Sequence, residues 1–194
     1  MDHSYSVCYD DVLLRPLLHK DIEFLRKWRN DQEASKYLRN IGTITPEMQE
    51  KWFASYLKDE DEITFSIVEI KSLHRMVGSV SLYNFSTDKK QAEVGKIQIG
   101  DIEAHGKGIG RKALVMIMDF GFKKLNLEKI VAGVNQKNIA AHSNDMKIGF
   151  RIVGTHPSVS EFGGTEDEIE IDQETLERVN PYCSKIQIDC GFEK

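Results

Sequence analysis

The sequence predicts an α/β (α+β) domain, a mixed sheet with helices on its faces, from three observations. Two amphipathic helical patterns precede a run of three extended segments, the remainder runs helix, strand, helix and two strands, and no repeat or low-complexity block interrupts that order. A regular βαβ array would alternate from the start. With 194 residues, 40% hydrophobic and 29% charged, the chain can bury the core of one domain without disulfide or metal staples.

Each element has a local reason. "DVLLRPL" reads as a short strand. "DIEFLRKWRNDQEASKYL" is a helix with Asp21 as N-cap and Ile22, Leu25 and Trp28 on its buried face. In "TITPEMQEKWFASYLKDED", Thr45 caps, Pro46 takes the first helical position, and Met48, Trp52, Phe53, Tyr56 and Leu57 make the apolar stripe. "ITFSIVEI", "MVGSVSLYNFS" and "QAEVGKIQIG" are rich in β-branched and aromatic residues, with short polar connections, which predicts an antiparallel meander. A glycine stretch and a helix to about Leu125 follow, then strand "KIVAGVN" and helix "NIAAHSNDMKIGF". "RIVGTHPSV" and "EDEIEID" form a closing hairpin around "FGGT". The tail "ETLERVNPYCSKIQIDCGFEK" fits no single pattern, so the expectation is one domain over 1–194 with its core at about 11–175.

A net charge of -5 argues against nucleic acid or an anionic membrane as partner. Three cysteines without CxxC spacing indicate a reduced compartment, and His74, His142 and His156 lack metal-ligand spacing, so no metal is expected. The opening "MDHSYSVCYDD" has no signal-peptide pattern, and no apolar run approaches the roughly 20 residues of a membrane span, so the expected location is cytoplasmic.

The stretch "EAHGKGIGRKAL" carries the chemistry. Its glycines, Gly106, Gly108 and Gly110, do not fit a P-loop, because Arg111 and Lys112 stand where Ser or Thr should hold magnesium. Nor do they fit a Rossmann turn, because Arg111 takes the place of the third glycine and the upstream strands read as antiparallel. A loop that turns successive amides toward one point at a helix start remains, which is a phosphate cradle. His105, Lys107, Arg111 and Lys112 surround it, and no acidic residue occurs from Ala104 to Met118. An ordinary glycine-rich strand-to-helix turn is the alternative.

With its flanks, "AEVGKIQIGDIEAHGKGIGRKAL" resembles motif A of the GCN5-related N-acetyltransferases (GNAT), Q/R-x-x-G-x-G/A between strand and helix, with His105 where Gln or Arg is usual. "NQKNIAAHSNDMKIGF" is similar to motif B, framed by Asn138, Ala141, Gly149 and Phe150. "LLRPLLHKDIEFLRKWRND" resembles the opening of the branch that holds ribosomal-protein, spermidine and nucleotide-amino-sugar acetyltransferases. The resemblance implies a V-shaped, mostly antiparallel sheet of six to seven strands flanked by about four helices. It splays between "AEVGKIQIG" and "KIVAGVN", with acetyl-CoA in the gap.

In that frame the backbone of Gln98, Ile99 and Gly100 contacts pantetheine, and His105, Gly106, Lys107, Gly108, Ile109, Gly110 and Arg111 hold the diphosphate. Asn138 and Asn144 complete the coenzyme set, although Asn138 reads equally as a helix cap. The long segment from Glu93 to Gly106 suggests a bulge. Glu93 is the candidate base, with a solvated strand glutamate as the alternative. Asp145 stands where relatives often place an acidic Tyr; an aspartate near pKa 4 would be ionised, so Ser143 or Asn144 could orient a water instead. Trp28, Arg29 and Asn30 lie where relatives build the acceptor side.

The expectation is direct acetyl transfer to the primary amine of a small molecule or amino-sugar. The N-terminal alanine of a ribosomal protein is the second acceptor, a non-catalytic CoA-binding module the alternative class, and a homodimer is left open.

Overall fold

The structure is a computed structural model in which residues 1–32, 35, 42–158 and 163–192 are described. It holds one nine-stranded sheet of order β7-β8-β6-β5-β4-β3-β2-β1-β9. The strands are β1 Val7–Tyr9, β2 Val12–Pro16, β3 Glu62–Glu69, β4 Arg75–Tyr83, β5 Gln91–Ile99, β6 Lys129–Asn135, β7 Arg151–Pro157, β8 Thr165–Ile171 and β9 Gln187–Ile188. The helices are α1 Ile22–Asn30, α2 Pro46–Tyr56, α3 Ile109–Leu125, α4 Ile139–Ile148 and α5 Gln173–Val179. Six to seven strands and about four helices were too few, because β1, β9 and α5 come from chain ends that lack a strong pattern. The tail is part of the fold: β9 pairs with β1, and Leu176 and Cys183 are buried in the main core.

The sheet presents two unlike faces. Ile63, Phe65 and Ile67 of β3 and Val80 and Leu82 of β4 point to one side, where α3 lies. From Ala113 to Phe122, α3 is buried all round, because the sheet covers one side and α4, α5 and the tail cover the other. The intervening residues point to the opposite face, as strand alternation requires. There Thr64 meets Tyr56 of α2, and Ser66 donates to Asp21 at 2.9 Å. α1 and α2 cover this face through a smaller cluster of Leu17, Ile22, Leu25, Phe53, Tyr56 and Met76.

Two details of the helices differ from expectation. Thr45 caps α2 as expected, accepting from the Met48 N–H at 3.2 Å, but only Phe53 and Tyr56 of its apolar stripe are buried. Met48, Trp52 and Leu57 stay 45%, 38% and 38% exposed, since α2 touches the domain along one narrow edge. Asp21 precedes α1 without capping it. Its carboxylate takes two bonds from Arg15, at 2.5 and 2.8 Å, and one from the Leu18 N–H, a buried ion pair fastening α1 to β2 and β3. The rest of that expected helix, toward Leu38, falls largely outside the described residues, as do Val159 and Phe162 of the closing hairpin. Among the described residues no helix is long and apolar enough to cross a membrane.

Neighbouring strands are antiparallel except β5 and β6, whose parallel ladder holds Gln91, Ala92 and Glu93 opposite Lys129, Ile130 and Val131. Beyond Glu93 the strands part: β5 stays on β4 and β6 stays on β8. β5 also bulges, with Lys96 and Ile97 opposite the single residue Val80, and Lys96 adopts φ 49. The expected splay and bulge are therefore both present.

Candidate active site

The opening between β5 and β6 is the centre of the site. Gly100 N–H donates to Val77 O of β4 at 2.9 Å, so alternation turns the Ile99 N–H and C=O the other way, into the gap. The His105 imidazole donates its Nε2 proton to Ile99 O at 2.8 Å. His105 therefore ties the loop back to the strand end, and its ring is committed to that role. The same loop is braced by Arg75, which reaches Asp101 at 2.6 Å and Glu103 at 2.9 Å.

At the start of α3, Gly106 and Gly108 have φ 74 and 72, the left-handed region that glycine enters without steric cost. A Cβ on either would meet nothing within 4 Å, so both face open space. Gly110 differs, with no positive φ and a would-be Cβ in ordinary contact with Ile99 at 3.5 Å. Lys112 is the first residue of the helix whose N–H has an acceptor, Gly108 O at 3.1 Å. Among the described residues, the amides from Gly106 to Arg111 donate to none, at the positive end of a 17-residue helix.

Two cations attend this loop rather than four groups. Lys107 has no acidic partner among the described residues, and Arg111 donates to Lys147 O at 3.0 Å while its buried Nε has no partner. Lys112 is drawn away to Asp10 and Asp11, at 2.7 and 2.6 Å. Unpartnered amides, open space before two left-handed glycines and an orphaned guanidinium nitrogen together fit an anionic group such as a diphosphate.

Glu93 sits where the β5–β6 ladder ends. Its carboxylate accepts from the Tyr83 hydroxyl at 2.5 Å and from Asn84 Nδ2 at 2.9 Å. Burial, and then the bond to Glu93, push the Tyr83 phenol well above its ordinary pKa, so it stays a donor. Across the gap on α4, Asn138 accepts from the Ala141 N–H at 3.2 Å, a helix cap, and its side-chain amide nitrogen has no partner among the described residues. Asn144 is half-buried. Asp145 has no side-chain partner among the described residues, and burial pushes its carboxyl up to about 6.

On the acceptor side the Trp28 ring lies flush on Gly100, where a Cβ would fall 2.0 Å from it, and Gln98 Nε2 donates to Trp28 O at 3.0 Å. Asn30 is spent on Ile44, accepting from its N–H at 2.8 Å and donating to its carbonyl at 2.9 Å. Arg29 is half-buried, which lowers its pKa. Sequence reasoning missed Tyr83, Asn84, Lys96 and Glu62. The alternation Ser79, Ser81, Tyr83 along β4 was the available signal, since the hairpin register sets Tyr83 opposite Glu93.

The family profile described as "Acetyltransferase (GNAT) domain" matches residues 11–151. An N-acetyltransferase 9-like protein of Caenorhabditis briggsae is 24% identical over 161 residues, covering 79% of this chain and 81% of that protein. The spermidine N(1)-acetyltransferase of Escherichia coli is 28% identical over 143 residues, covering 74% of each. The crystal structure of the Vibrio cholerae spermidine N-acetyltransferase, in complex with CoA and spermine, superposes with a TM-score of 0.77 at 22% identity, covering 86% of this chain and 98% of that one. With more than two thirds of its length inside the family profile, the chain belongs to the GNAT family of N-acetyltransferases.

Proposed function

We propose that the chain transfers the acetyl group of acetyl-CoA directly to the primary amine of a small molecule or amino-sugar. The observation that carries the reading is the parting of β5 from β6 at Glu93, with the unpartnered amides of Gly106 to Arg111 at the near end of the gap. Those amides, with Arg111 and Lys107, hold the diphosphate, and the Ile99 N–H faces the pantetheine side of the opening. Acetyl-CoA supplies an acyl group activated as a thioester.

Glu93 binds the acceptor ammonium and takes its proton, directly or through a water. Tyr83 and Asn84 orient the carboxylate at the opening. Asp145, with a pKa near 6, keeps a fraction of its protons at neutral pH and returns one to the leaving sulfur. Trp28, fixed on Gly100, forms the wall against which the acceptor rests.

A thiol-release assay across a panel of amines tests the reading. E93Q should lower turnover by about 10²–10⁴-fold, the usual contribution of a general base, with CoA binding retained. Undiminished turnover in E93Q would remove Glu93 from the role, and thiol release with no amine in the panel would leave the chain a CoA-binding module.

A further inference from the structure

The bulge places a half-exposed ammonium on the same face of the sheet as Glu62 and Tyr83. Lys96 holds a left-handed backbone, φ 49, that a non-glycine residue adopts only when its surroundings impose it. Its Nζ lies 2.5 Å from Glu62 and 4.4 Å from the centroid of the Tyr83 ring, within cation–π range. The Glu62 side chain is only 12% exposed and also accepts from Thr64 Oγ1 at 2.9 Å and Ser81 Oγ at 3.4 Å. The hydroxyl of the same Tyr83 donates to Glu93. One tyrosine thus forms a wall shared by two adjoining cation sites: Glu93, at the opening, and Glu62 with the ring face, already filled by the protein's own lysine.

We infer that Lys96 is a specificity-determining residue: it occupies a carboxylate-and-aromatic subsite beside Glu93, so the acceptor carries a single positive charge, at its reacting nitrogen, and short diamines are rejected. The inference rests on the acetyl-transfer reading and narrows its acceptor to monocationic amines, a class that includes amino-sugars. A second ammonium entering the Glu62 subsite must displace Lys96 or lie beside it, and both are unfavourable. An uncharged far end meets no such barrier.

The test compares butylamine with 1,4-diaminobutane on wild type, K96M and K96Q, by calorimetric binding without acetyl-CoA and by thiol release. Wild type should bind butylamine at least as tightly as the diamine. In both variants the ratio of diamine to monoamine affinity should rise at least tenfold, and adding E62Q should erase the gain. A wild type that prefers the diamine, or a ratio unmoved in K96M and K96Q, overturns the inference even where butylamine still releases thiol. A raised ratio without thiol release from any amine supports the subsite and instead removes the acetyl-transfer reading.

Discussion

Gly108 and Gly110 look equivalent in the motif, yet the structure predicts that replacing each by alanine has opposite effects. Gly108 sits at φ 72, where a side chain costs about 1–2 kcal/mol, and its would-be Cβ meets nothing within 4 Å, so no clash adds to that cost. For a chain of this size 1 kcal/mol moves Tm by roughly 2–4 °C, so G108A should lose about 2–8 °C. Gly110 lies inside α3 with ordinary space around its Cβ, and alanine there gains about 0.5–1 kcal/mol of helix stability. G110A should therefore melt slightly higher than wild type. The ligand-facing consequence separates further. The G108A methyl projects into open space, whereas the G110A methyl turns to Ile99. Differential scanning calorimetry reads the first effect and isothermal titration with CoA the second. G108A should lose more than tenfold in CoA affinity, about 1.4 kcal/mol, and G110A should stay within about threefold. Wild-type affinity in G108A, or equal losses in both variants, would refute the assignment of the open side of the loop to the diphosphate.

Three other changes probe the scaffold and the proton chemistry. D21A leaves Arg15 buried without its partner and should cost about 3–5 kcal/mol in urea unfolding. G100A drives a methyl into the Trp28 ring and should destabilise by about 1–3 kcal/mol, with an acceptor KM that rises more than the CoA Kd. Asp145 has a folded-state pKa near 6, above its ordinary 3.8, so its ionised form opposes folding. That cost is absent below the unfolded-state pKa, grows as pH rises and is complete above about 6. D145N should accordingly gain up to about 3 kcal/mol over wild type in urea unfolding at pH 8, fading below pH 4, and a gain independent of pH would contradict the assigned burial.

What the sequence made legible follows the range of each interaction. Thr45-Pro46 and the meander were readable because cap chemistry and strand alternation are local. β1 and β9 were not, being three and two residues long and joined by pairing between opposite chain ends. Asp21 looked like a cap, since nothing local shows that Arg15 returns to it across the β2–α1 turn. The glycine loop was legible as a cradle, but not the division of labour around it: His105 closes onto Ile99, and Lys112 turns to acids a hundred residues earlier. Tyr83 and Lys96 reach Glu93 and Glu62 through register and a bulge, which composition does not reveal.

The central claim is that the backbone from Gly106 to Arg111 grips the coenzyme while the opening beyond Glu93 receives its acyl arm. Amide-resolved NMR of the labelled protein titrated with CoA tests both halves at once. The account predicts its largest shifts at Gly106 to Arg111, with a second group at Gln98 to Gly100. Saturable binding that leaves those amides unmoved and shifts others instead would contradict it.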